Sequence, residues 1–129
     1  MNNKEIVEEF YGQKIKDITL KDDVLSIVFP TLTLKIVDAG QCCCEKRYLH
    51  TDDTLDLLKG DTFTKIEELP TEYNIEWETN CEYRGGTAYH REHEIMFLRI
   101  STNQQTATIE THNKHNGYYS GFMLSASQR

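Results

Sequence analysis

The sequence has two prolines and one tryptophan in 129 residues, and no apolar run approaches the roughly 18 residues that a membrane-spanning helix needs. A helical bilayer span is excluded on that ground. The opening stretch MNNKEIVEEFYGQK has neither an apolar core nor a small-residue cleavage site, so no signal peptide is expected and cytoplasmic residence follows by default. Basic residues are also short: 14 Lys and Arg stand against 21 Asp and Glu, for a formal charge of −7. A negative surface repels phosphate backbones, which argues against direct nucleic-acid binding. No Walker loop, dinucleotide fingerprint or Gly-x-Ser-x-Gly elbow occurs. Linkers, repeats and low-complexity segments are missing too, so a single domain over residues 1–129 is expected.

What the chain does have is a series of short β-branched runs. Asn2 or Asn3 can cap an N-terminal helix running to about Tyr11, with Ile6, Val7 and Phe10 on one stripe and Gly12 as its stop. Ile15–Leu20, Val24–Phe29 and Leu32–Val37 then read as a meander of strands, divided at Asp22-Asp23 and Pro30-Thr31. Thr51 is placed to cap a short central helix, Asp52–Lys59, with Leu55 and Leu58 inward and Gly60 ending it. Thr62–Leu69 resumes the strand pattern until Pro70 breaks it. The expected fold is α+β: a mostly antiparallel twisted sheet of about seven or eight strands, with one N-terminal and one short central helix.

Two turns set the expected registers. Gly85-Gly86 suits a type I′ turn, which would pair Tyr83 with Ala88, Cys81 with His90, Trp77 with Glu94 and Ile75 with Met96. Ile95–Ile100, apolar on both faces, reads as a central strand. Asn116-Gly117 is the strongest short hairpin signal, and a two-residue loop there would pair His115 with Tyr118, Asn113 with Ser120, Thr111 with Phe122 and Ile109 with Leu124.

Three features together resemble a family of uncharacterised small phage and prophage proteins. They are Tyr11-Gly-Gln-Lys-Ile-Lys-Asp-Ile18, then Cys43-Cys44-Glu45 followed by a short strand and Asp56-Leu-Leu-Lys-Gly60, and finally His115-Asn-Gly-Tyr-Tyr-Ser-Gly-Phe122. The segment from Thr71 to Glu92 looks longer than that family's pattern. The resemblance implies a small intracellular protein of a bacterial host cell, in a class where blockers of host defence are common. It carries no catalytic residues with it.

The candidate chemistry is sparse. Cys42, Cys43, Cys44 and Cys81 lack the paired spacing by which structural zinc sites wrap one ion, and adjacent cysteines in a strand point to opposite faces. His90/His93 and His112/His115 have two-residue gaps that also divide each pair between faces of a strand. No metal, cofactor or catalytic set is therefore expected, and nothing brings Cys43 or Cys44 beside a histidine as a nucleophile would require. Binding remains. The leading expectation is an acidic face, Asp52, Asp53, Asp56, Asp61, Glu67, Glu68, Glu72, Glu76 and Glu78, docking on the basic surface of a host or phage protein and competing there with nucleic acid. The alternative is a small-ligand binder that sequesters a nucleotide messenger with His112, His115, Asn116, Tyr118 and Tyr119 of the C-terminal hairpin, helped by Arg84 or Arg99.

Overall fold

Asn2 accepts a hydrogen bond from the Glu5 amide at 2.9 Å, the capping contact its short side chain favours, and starts helix α1, Asn3–Glu8. Val7 and Phe10 turn into the core, and Gly12 takes φ 89° just beyond. The computed structural model describes residues 2–40, 45–78, 89–115 and 121–129. Strands β1, Asp17–Lys21, and β2, Val24–Val28, follow as a hairpin in which Lys21 faces Val24. Its two loop residues, Asp22 and Asp23, have φ of 52° and 61°, the pair of positive angles that a type I′ turn demands and that aspartate tolerates.

The remaining strands divide between two sheets. β3, Thr33–Asp38, pairs with β2 on one side and with the last strand, β9, Leu124–Gln128, on the other. That gives a four-stranded antiparallel sheet in the order β1-β2-β3-β9. The second sheet holds β4, Lys46–His50; β5, Phe63–Glu68; β6, Glu72–Glu78; β7, Tyr89–Thr102; and β8, Thr106–His115. Its order is β4-β8-β7-β5, with β6 also on β7. β7 is long enough to serve two partners on one side: β6 along residues 89–95 and β5 along residues 98–102. Pro70, which has no amide hydrogen for a ladder, stands between them.

The inward faces meet in one core. Ile18, Leu25, Ile27, Leu34 and Ile36 come from the first sheet, and Phe63, Met96, Leu98, Ile100 and Ile109 from the second. β7 is central, as its apolar run predicts, and α1 is tied to the margin of β9: Asn3 donates to the Leu124 carbonyl at 2.6 Å and accepts from the Ala126 amide at 3.0 Å.

Four expectations are corrected. The described strands number nine in two sheets, not seven or eight in one. The central helix is only a 3-10 turn, Leu55–Leu58, because Asp52 and Asp53 are held elsewhere. The Thr51 hydroxyl donates to the Thr108 carbonyl and accepts from the Asp53 amide, while the Asp53 carboxylate accepts from the Thr108 amide at 2.7 Å. Trp77 faces His90 and Ile75 faces Glu92, four residues from the expected Glu94 and Met96. Finally, β9 does not fold back on β8. Both margins of β8 are taken, by β7 and β4, so Leu124 pairs with Asp38 and not with Ile109. His90 faces Trp77 and not the expected Cys81. The pair Tyr83–Ala88, and the Asn116-Gly117 loop with its neighbours Tyr118 and Ser120, lie outside the described residues.

Candidate functional site

Alternation along β8 sends Ala107, Ile109, Thr111, Asn113 and His115 inward, so the inner face of the second sheet runs from apolar to polar. The register sets Glu94 opposite Asn113, Glu92 opposite His115 and Arg47 opposite Asn113. His115 is buried with Nε2 2.7 Å from Glu94 Oε1 and Nδ1 3.4 Å from Glu92 Oε2. Glu94 also accepts from the Gly121 amide, and Asn113 donates to the Gly121 carbonyl at 2.9 Å. Beside this group Arg47 grips Asp38 and lies 3.0 Å from Glu45. Burial opposes the Arg47 charge, but the hydrogen bonds it donates to Glu45 and Asp38 outweigh it and hold the guanidinium above its ordinary pKa. Charges this enclosed orient strands, and the arrangement serves as a clamp between the two sheets.

The outer face of the same sheet carries a second polar group. Tyr48 and His112, cross-strand partners, stack with ring centres 4.4 Å apart and planes within 6°. His112 Nδ1 is 2.8 Å from His93 Nε2, and its Nε2 is 2.8 Å from Glu110 Oε1. Burial lowers the His112 pKa, the hydrogen bond to Glu110 notwithstanding. Two residue pairs further along, on the same face, His50 faces Glu110, and its Nε2 lies 2.8 Å from Asp52 Oδ1, a contact that raises the His50 pKa. His112 and His115 thus occupy opposite faces, as their spacing predicts.

The third feature is a concavity. A cavity of about 280 Å3 opens beneath α1, where β3 and β9 of one sheet approach β5 and β7 of the other. Val7, Ile36, Ile66, Leu98, Leu124 and Ala126 form its walls. Asn3, Lys4, Tyr11, Glu67 and Glu68 complete it with polar groups. Tyr11 is steadied by its hydroxyl, which accepts from the Ile66 amide at 3.3 Å, and by an edge contact with Phe63. Glu67 takes hydrogen bonds from Arg99 at 2.8 Å, and this pairing lowers its pKa.

The carboxylates named from the sequence do not assemble into one patch. Asp52 and Asp53 follow β4 at one edge of the second sheet, whereas Glu67 and Glu68 lie in β5 at the other, with Glu72, Glu76 and Glu78 in β6. Several are already engaged: Asp56 with Lys59 at 3.4 Å, Glu67 with Arg99, Asp53 with the Thr108 amide, and Asp61 with Thr102 and Gln105. Arg99 is engaged with Glu67, to which its Nε donates at 2.8 Å. Arg84, Asn116, Tyr118, Tyr119 and the four cysteines lie outside the described residues. Tyr48, His50, His93 and Glu110 escape a linear reading, because only the β4–β8 and β7–β8 registers bring them together.

Residues 6–124 match the family model described as a domain of unknown function, DUF7448. The chain belongs to that family. No curated protein and no solved structure matches it.

Proposed function

We propose that this member of the family is a binding protein, and that its ligand is a small, largely apolar molecule held in the cleft beneath α1. The cavity carries the reading: its volume of about 280 Å3 is just under the range of roughly 300–1,000 Å3 for small-molecule sites, which suits a compact ligand, and apolar walls with a few polar groups are what such sites use. Lys4 and Glu68, both exposed, supply one charge of each sign for a polar head. The phage-like resemblance supports sequestration as the biological role, the bound molecule being withheld from a host system.

The test is a thermal-shift screen of compact, apolar compounds with one polar head, followed by amide chemical shifts at Val7, Leu98 and Ala126. A ligand at a hundredfold its Kd adds about 2.7 kcal/mol to stability. Ala126→Met fills the cleft and should abolish the shift while leaving the fold intact. Binding that survives this substitution places the ligand elsewhere.

A second reading keeps an acidic docking surface narrowed to the β5–β6 margin, favoured by the charge of −7 and by the exposed Glu68 and Glu72 on either side of Pro70. In that reading the chain occupies the nucleic-acid channel of a host defence protein. Its affinity would fall steeply with salt, and an interaction indifferent to salt removes it.

A further inference from the structure

Three donor groups converge where β4 ends. Metal-ligating atoms of His50, Asp52 and Glu110 all lie within 4.8 Å of one another. They reach this point by different routes: His50 closes β4, Glu110 is its cross-strand partner on β8, and Asp52 belongs to the segment that Thr51 and Asp53 pin to Thr108. The backbone beneath all three is therefore fixed by ladder or pinning hydrogen bonds.

An ordinary surface ion pair accounts for His50 and Asp52. It does not account for the third group, because Glu110 is held from behind. Its Oε1 receives Nε2 of His112, whose ring is buried, lies flat on Tyr48 and is fixed at Nδ1 by His93. A carboxylate ligand oriented by a further hydrogen-bonded group is the outer-shell support that metal sites use.

We propose that His50, Asp52 and Glu110 bind a divalent transition-metal ion. One imidazole and two carboxylates suit Mn2+ or Zn2+; Cu(I) seeks thiolates, and Mg2+ and Ca2+ seek oxygen alone. Bonds of about 2.0–2.2 Å put neighbouring ligand atoms roughly 3–3.5 Å apart. The side chains of His50 and Asp52 are 52% and 82% exposed, which leaves them room to change rotamer toward that spacing. Three protein ligands leave the other positions to water, so the centre is open to a small anionic ligand. It uses none of the four cysteines on which a metal reading of the sequence would rest.

Titration of the full chain with Mn2+, followed by the loss of its free-ion paramagnetic resonance signal, tests the proposal. The expected result is one equivalent bound. His50→Ala and Asp52→Asn change exposed groups and leave the fold unaffected, and each should weaken binding about tenfold or more. His112→Gln should weaken it by about 10–100-fold, the outer-shell magnitude. Zn2+ is titrated into the chain with all four cysteines changed to serine, which removes thiolate competition. Absence of Mn2+ and Zn2+ binding, or binding unchanged by His50→Ala and Asp52→Asn, overturns the proposal.

Discussion

Arg47 joins the two sheets by gripping Asp38: its Nη1 stands 2.9 Å from one carboxylate oxygen and 3.0 Å from the other. Asp38 also accepts the Gly40 and Met123 amides, so one side chain anchors three segments. Breaking a buried pair by removing one member costs about 3–5 kcal/mol. Asp38→Ala should fall in that range by urea denaturation, and Asp38→Asn, which keeps an acceptor, should cost less.

Gly40 is small for a reason that the same clamp supplies. A Cβ there would lie 2.6 Å from the guanidinium carbon of Arg47. Arginine ends usually move aside, but this one is held by two carboxylates. Gly40→Ala should destabilise by about 1–3 kcal/mol, the usual cost of overpacking. A midpoint equal to that of the wild type would show that the clamp yields.

Two adjacent leucines in the 3-10 turn should behave differently. Leu58 is 2% exposed and Leu57 is 65% exposed. Leu58→Ala should cost about 2–5 kcal/mol through cavity formation, whereas Leu57→Ala should stay within about 0.5 kcal/mol of wild type. Thermal unfolding of both variants checks the contrast.

Acid should unfold the chain partly through exposed carboxylates. Lys59 holds the Asp17 pKa below its ordinary value, and Arg99 does the same for Glu67. A carboxylate whose pKa is depressed by folding contributes stability above its unfolded pKa and loses it as pH falls through the folded one. Both contributions are therefore present at neutral pH and fade below about pH 4, the unfolded carboxylate range. Asp17→Asn should flatten the acid limb of a stability–pH curve, and added salt should do so too, because both groups face solvent.

The pairing of β9 with β3 can be trapped. Lys35 and Ser127 are register partners. Lys35→Cys with Ser127→Cys should form a disulfide that peptide mass spectrometry assigns to that pair. Cross-linking of Ile109→Cys to Leu124→Cys would instead restore the hairpin expected from Asn116-Gly117.

The parts legible in the sequence are those decided locally. Asn2 caps a helix, Asp22-Asp23 turns a hairpin, and Gly60 ends a turn with φ 87°, each through its own side chain or the lack of one. Ile95–Ile100 announces a central strand by its composition. Partner choice is another matter. The loop signal at Asn116-Gly117 says nothing about β4, which competes for the same margin of β8 from far away in the chain. β4 is legible only through the family resemblance, which puts a short strand after Glu45, because its inward Arg47 is charged and breaks the apolar alternation. The candidate site suffered most. His50, Asp52 and Glu110 become neighbours only through the β4–β8 ladder, and Asp52 reads in isolation as one more surface charge. The cleft is legible nowhere, since α1 and four strands from both sheets contribute to it.

The position of β9 bears on how the protein is made. While a ribosome is still translating the middle of the chain, β1, β2 and β3 have emerged with the margin of β3 bare, and a bare strand margin is a template for any other extended chain. Its proper occupant, residues 124–128, is synthesised much later. Premature termination upstream of Leu124 would therefore release polypeptides that stick to one another, and holding factors at the tunnel exit should matter more here than for a protein whose sheets close in the order they are made.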